Sequence, residues 1–131
     1  MSQLSSEQLS QLHQQVNDER ARLRQDIRNE LTRRDDEQYA SLAGQVHDAG
    51  EESVADLLSD VNAAIISHSI KELREIEAAQ ERLREGTYGT CEECGEAIPF
   101  ARLPAYPAAR LCIADQERYE ATHPDEQHSE L

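Results

Sequence analysis

Apolar residues recur along the first part of this chain at Leu9, Leu12, Val16, Leu23, Ile27, Leu31, Leu42 and Val46, with gaps mostly of three, four and seven. That spacing draws a narrow helical stripe rather than a broad core face. Neither Pro nor Gly interrupts it before Gly44. A second stripe runs through Val54, Leu57, Leu58, Val61, Ile65, Ile66, Ile70, Leu73, Ile76 and Leu83. The link between them, His47 to Glu52, is short enough to force the two helices antiparallel. With a turn centred near residue 50, facing residues have numbers that sum to about 100. The pairs Val46/Val54, Leu42/Leu58, Tyr39/Val61, Ile27/Leu73, Leu23/Ile76 and Val16/Leu83 all do so within one. The expected fold is therefore mainly α, built on a long antiparallel two-helix coiled-coil hairpin over residues 1–86 with its tip near 47–53. A stem from residue 9 to 47 is roughly 57 Å long at ~1.5 Å per residue.

Local signals agree with this. Ser5-Ser-Glu-Gln8 fits a capping box, with Leu4 and Leu9 as its hydrophobic staple. Ser53 with Asp56 reads as the cap of the second helix, and Gly86 follows Arg82 and Arg84 where a C′ glycine ends a helix. One stretch fits poorly: Thr32, Asp35 and Asp36 face Ile65, Ile66 and His68, so packing there is expected to be loose or covered by another segment.

The formal net charge is −14 over 131 residues. Phosphate backbones repel such a chain unless it concentrates basic side chains. The best candidate, Arg20, Arg22, Arg24 and Arg28, is interrupted by Asp18, Glu19 and Asp26. Sequence-specific DNA binding is not expected; a basic protein surface or channel suits this charge better. Met1-Ser-Gln-Leu-Ser-Ser has neither the basic start nor the apolar run of a secretion signal, and no stretch approaches the ~18 apolar residues of a membrane span. A cytoplasmic protein that is not on a membrane is expected.

All three cysteines fall in one frame, Cys91-Glu-Glu-Cys94, then Cys112-Ile-Ala-Asp115. Two pairs of this kind, 15–20 residues apart, make a zinc-ribbon layout, with Asp at the last position here. Asp115 lies one turn after Cys112, on the same face of a short helix expected from Leu111 to about Ala121. Three readings stay open: zinc on Cys91, Cys94, Cys112 and Asp115; a metal-free finger held by Ile98, Phe100, Leu103, Tyr106 and Leu111; or a catalytic zinc, for which no general base is apparent. Three prolines between Ile98 and Pro107 exclude a long helix there, leaving short strands and turns. Residues 87–122 make a small zinc-ribbon-like domain, and 123–131 a polar tail.

The block Gly86-Thr-Tyr-Gly-Thr-Cys91-Glu-Glu-Cys94-Gly-Glu-Ala-Ile98, then Arg102-Leu, Ala105-Tyr-Pro and Leu111-Cys112, resembles the DksA/TraR family of bacterial transcription factors. The resemblance implies a non-enzymatic regulator that binds RNA polymerase and inserts its coiled-coil tip into the secondary channel to modulate initiation. It implies no sequence-specific DNA contact, and a monomer is expected because the hairpin satisfies its own seam. Aligned from the cysteines, the polymerase-active tip positions are Asp48, Glu51 and Ser53, where the family has two Asp and an Ala. Positions that contact the alarmone ppGpp in the family hold Glu75, Tyr106 and Gln116 here, with Arg102 retained. A polyphosphate needs Lys or Arg donors, so activity without ppGpp binding of its own is expected. The alternatives are an acidic coiled-coil module that binds another basic protein, or a thiol/zinc redox-sensing variant that uses Cys91 and Cys94.

Overall fold

The capping box at the first helix forms as the sequence predicts. Gln8 N–H donates to Ser5 Oγ at 3.1 Å, and Ser5 N–H donates to Gln8 Oε1 at 2.9 Å. In the computed structural model, which describes residues 4–33, 37–59 and 64–123, this cap opens α1 (Ser6–Thr32). There follow α2 (Glu37–Asp48), α3 (Val54–Leu57), α4 (Ala64–Glu85), α5 (Arg102–Ala105) and α6 (Ile113–Thr122). The fold is mainly α, with the paired-helix stem and the small finger domain that the sequence predicts. Among the described residues there is no strand, only a lone antiparallel bridge between Thr90 and Ala97. The chain forms two compact units, Asn17–Glu77 and Met1–Val16 with Ala78–Leu131.

In the first unit the helical path departs from an unbroken stem. α1 stops at Thr32, whose hydroxyl turns back to donate to Asn29 O at 3.0 Å, a bond that competes with the helix ladder. Arg24 then decides the direction of the chain. Its Nη1 donates to Gly50 O and its Nη2 to Glu52 O, each at 2.6 Å. A single helix running on to residue 48 would carry Gly50 roughly 39 Å from Arg24 at ~1.5 Å per residue. The chain therefore reverses between α1 and α2, and the 49–53 turn returns to the middle of α1. Asp35 and Asp36 of the polar stretch flagged in the sequence, and Val61 of the Tyr39/Val61 pair, lie outside the described residues.

The α1–α4 register survives. Arg24 and Glu77, whose numbers sum to 101, approach to 4.0 Å. Leu23, Ile27, Leu73 and Ile76 are all buried, as are Leu31, Ala43, Val46, Val54, Ala55, Leu58 and Ile66. Each fully buried Leu or Ile contributes about 1.5–3 kcal/mol over its exposed state. Ser53 caps as expected, with Asp56 N–H donating to its Oγ at 3.0 Å, but the helix that it caps is the four-residue α3. Glu77 fastens this cap from α4, accepting from Ser53 Oγ at 2.7 Å and from Val54 N–H at 2.9 Å.

The second unit holds the finger. Gly86 takes φ +79 and ends α4, with Thr87 N–H reaching back to Arg82 O at 2.9 Å in a Schellman-type closure. Tyr88, Ile98, Leu103, Ala109 and Leu111 form the core. The short strands expected between Ile98 and Pro107 do not form: that stretch holds turns and the one-turn α5, and the Thr90–Ala97 bridge precedes it. Pro99, Pro104 and Pro107 lack the N–H groups that a ladder needs. No helix among the described residues is long and apolar enough to cross a membrane.

Two outcomes are expected. Spin labels at Ala21 and Glu52 will report a distance well below the ~47 Å of an unbroken helix, and a value near that length would refute the reversal. Tyr88, whose hydroxyl donates to Pro107 O at 2.7 Å, has its pKa pushed up to about 12 by burial, against the pull of Arg82. Its contribution is complete below the ordinary value near ~10 and is lost as pH rises towards about 12. Tyr88→Phe is expected to remove that alkaline loss and to cost about 1–3 kcal/mol at neutral pH, because the Pro107 carbonyl loses its donor. Urea melts across pH check both.

Candidate metal centre and acidic turn

The first half of the finger is a tight knuckle. Cys91 N–H donates to Glu96 O at 2.8 Å, and Gly95 N–H donates to Cys91 O at 3.0 Å. Gly95 sits at φ +76, which lets the chain turn sharply enough to bring Cys94 beside Cys91. Glu92 N–H donates to Arg110 O at 2.9 Å, tying this knuckle to the segment that leads into α6. Cys112 occupies the N-cap of α6 with extended backbone, and Asp115 lies in its first turn.

These elements bring all four predicted residues together. One ligand atom from each of Cys91, Cys94, Cys112 and Asp115 lies within 4.8 Å of the other three. Cys94 Sγ and Cys112 Sγ are 3.9 Å apart, against about 3.8 Å for the edge of a tetrahedron with 2.3 Å Zn–S bonds. Asp115 Oδ2 stands 3.1 Å from Cys91 Sγ and 3.4 Å from Cys112 Sγ, near the ~3.5 Å of a mixed S–O edge. A structural zinc fits this donor set, with Asp115 as a single-oxygen ligand.

Arg118 explains why Asp115 presents one oxygen. It pairs with Asp115 Oδ1 from the next turn of α6, leaving Oδ2 to the thiols. Sequence reasoning missed Arg118; its spacing of three from Asp115 on a helix was the available signal. The Arg118 guanidinium, and then the Cys91 and Cys94 thiols as donors, hold the Asp115 carboxyl well below the usual carboxylate range. Burial opposes ionisation of Cys91, yet the N–H groups of Cys94, Cys112 and Glu93 outweigh it and hold the thiol below its ordinary value. With thiol protons in place, the group is a hydrogen-bonded cluster around an ionised carboxylate. Without them it is a set of four anionic ligands.

The predicted tip residues share one turn but differ in setting. Asp48 ends α2 and Glu51 lies in the turn, each with its side chain 82% exposed. Asp48 Oδ1 is 3.1 Å from His47 Nδ1, and Glu51 is 3.4 Å from Arg20. Ser53 is half-buried, its hydroxyl engaged by Asp56 and Glu77. Asp48 and Ser53 line a cavity of about 250 Å³ with Gln45, Ala49, Glu52 and Leu57, whereas Glu51 faces Arg20. Elsewhere in the finger, Arg102 lies over the Tyr106 ring, and the buried Gln116 donates to Glu120 at 2.9 Å.

Zinc titration against a chromophoric chelator is expected to give one ion per chain. Arg118→Ala should weaken it about 10–100-fold, the usual effect of removing a ligand's orienting partner. Asp115→Cys should keep or tighten it. Equal affinity in Asp115→Ala and the parent chain would exclude Asp115 from the coordination sphere.

Residues 86–121 match the prokaryotic dksA/traR C4-type zinc finger. General stress protein 16O of Bacillus subtilis is 30% identical over 98 residues, 70% of this chain and 60% of that protein. The RNA polymerase-binding transcription factor DksA of Caulobacter vibrioides is 46% identical over 50 residues, 38% of this chain and 35% of that protein. Among solved structures, transcription factor DksA2 from Pseudomonas aeruginosa superposes with a TM-score of 0.59 at 29% identity, over 92% of this chain and 88% of that one. The curated matches thus span a third to three fifths of those relatives' length. Residues 86–121 thus carry a DksA/TraR-type zinc finger, with three cysteines and Asp115 in place of a full four-cysteine set, on a fold similar to that of a DksA protein.

Proposed function

We propose that this chain is a bacterial transcription regulator that binds RNA polymerase directly. In this reading the exposed carboxylates of the 47–53 turn, which the fold holds against the middle of α1 rather than at the end of a stem, face the secondary channel, and the chain alters initiation without a ppGpp site of its own. The observation that carries the proposal is the DksA/TraR-type finger at 86–121, with 46% identity over 50 residues of the chain to a protein described as RNA polymerase-binding. The exposed carboxylates of Asp48 and Glu51 support it. In a basic channel near a catalytic metal they can act on charge and hydration without forming covalent bonds. The side chains at 75, 106 and 116 are Glu, Tyr and Gln; none offers the cationic donors that a polyphosphate requires.

In this proposal zinc on Cys91, Cys94, Cys112 and Asp115 is structural. It would fix the first knuckle against the start of α6, and it takes part in no reaction. The role proposed for Ser53 is to shape the turn, since its hydroxyl bonds to Asp56 and Glu77.

Binding of the full chain to bacterial core polymerase, followed by promoter-dependent run-off transcription, tests the reading. The double variant Asp48→Ala, Glu51→Ala is expected to bind within about fivefold of the parent, the scale of exposed charge contacts, and to lose most of its effect on initiation. Failure of the folded parent chain to bind would remove the polymerase assignment. An unchanged effect in the double variant would remove the role of the turn.

A further inference from the structure

The arginines of α1 separate into two sets that the linear sequence does not distinguish. Arg22 is exposed and neutralised within its own helix by Glu19 and Asp26. Arg20, Arg24 and Arg28 recur every four residues and so share one face. Together with Asn17, Gln25 and His47 they line a cavity of about 240 Å³.

The packing role of these arginines is incomplete as an explanation. Holding the 50–52 turn accounts for both terminal nitrogens of Arg24 and for the Arg20–Glu51 pair. It leaves Arg24 Nε and Arg28 Nε buried with no hydrogen-bond partner among the described residues. Among the described residues, the hydrogen bond of Arg28 is to Gln25, 3.2 Å away on its own helix. A buried donor without an acceptor is costly, so two in one cluster suit an acceptor from outside the described residues. The carboxylates that approach the cluster are already engaged: Glu51 with Arg20, and Glu77 with Ser53 and Val54. Burial and the neighbouring Arg20 both weaken the hold of Arg24 on its proton, as expected where cations are crowded without enough anions.

We propose that Arg20, Arg24 and Arg28, with His47 at the rim, form a binding site for a small multivalent oxyanion of the phosphate or diphosphate class. Arginine forks suit the paired oxygens of such anions. The cavity lies below the ~300 Å³ at which pockets enclose whole organic ligands, so a phosphate or diphosphate fits inside while any attached nucleoside stays outside. In a chain of net charge −14, which repels anions as a whole, retention of an anion here requires these specific donors. Because Arg20 and Arg24 also hold the 50–52 turn, occupancy would compete with Glu51 for Arg20. The site is distinct from the finger, and the proposal does not depend on polymerase binding.

Calorimetric titration of the full chain at constant ionic strength tests it, with sodium pyrophosphate, sodium phosphate and ADP as probes. Saturable one-to-one binding of pyrophosphate is expected, weakened about tenfold or more by Arg28→Gln, the scale of one lost bond to a charged group. Arg22→Gln should leave it unchanged. Pyrophosphate tighter than ADP assigns the free ion, and the reverse order assigns a nucleotide whose diphosphate enters the site; either result supports the site, and the second counts against the proposal that the chain has no alarmone site of its own. No saturable binding at millimolar pyrophosphate, or equal weakening by Arg22→Gln and Arg28→Gln, overturns it. Circular dichroism of each variant guards against loss of fold, and Arg28→Lys should recover part of the affinity lost in Arg28→Gln.

Discussion

Arg24 is the side chain on which the helical half of this protein depends. Its two terminal nitrogens close on the carbonyls of Gly50 and Glu52, and its side chain is only 13% exposed. Charge-assisted bonds of this kind, shielded from water, are about twice as strong as neutral ones. They hold a turn that carries little apolar surface of its own. Glu77 completes the arrangement from α4 by accepting from Ser53 and Val54. A small polar junction thereby sets how α1, the turn and α4 meet, while Leu23, Ile27, Leu73 and Ile76 provide the burial that stabilises them.

The finger solves a different problem with similar means. Its apolar core is small, and its backbone is interrupted by proline, so much of its order rests on polar ties: Tyr88 to Pro107, Arg82 to Ala108 and Ala109, and Glu92 N–H to Arg110. The Cys91–Cys94–Cys112–Asp115 group adds a fourth tie that works in two chemical states. An aspartate in place of a fourth cysteine makes this possible. Its ionised oxygen accepts from thiols when they carry protons, and can join them as a ligand when they do not. Arg118 stabilises the charge in both cases.

Much of this was legible in the sequence because it rests on short-range chemistry. The capping box at Ser5, the C′ glycine at 86 and the cap at Ser53 each depend on residues a few positions apart, as does each half of the cysteine frame, and each forms as expected, with the two halves converging in the fold. Arg118 was legible in principle, three residues from Asp115, yet nothing in the cysteine pattern points to it. The facing-pair rule held for Leu23, Ile27, Leu73 and Ile76, whose apolar character suits a buried seam.

The sequence by itself determined the helical periodicity, the metal-type frame and the acidic character, since these follow from residue type and spacing alone. Tertiary structure decided where the first helix stops and which arginines share a face. Facing-pair arithmetic scores every apolar pair equally and is blind to a guanidinium that meets backbone carbonyls 26 and 28 residues further along the chain. A helix that continues past Thr32 and one that turns back carry the same stripe. The choice between them is made by long-range polar contacts between side chain and backbone, which leave no periodic signature in the sequence.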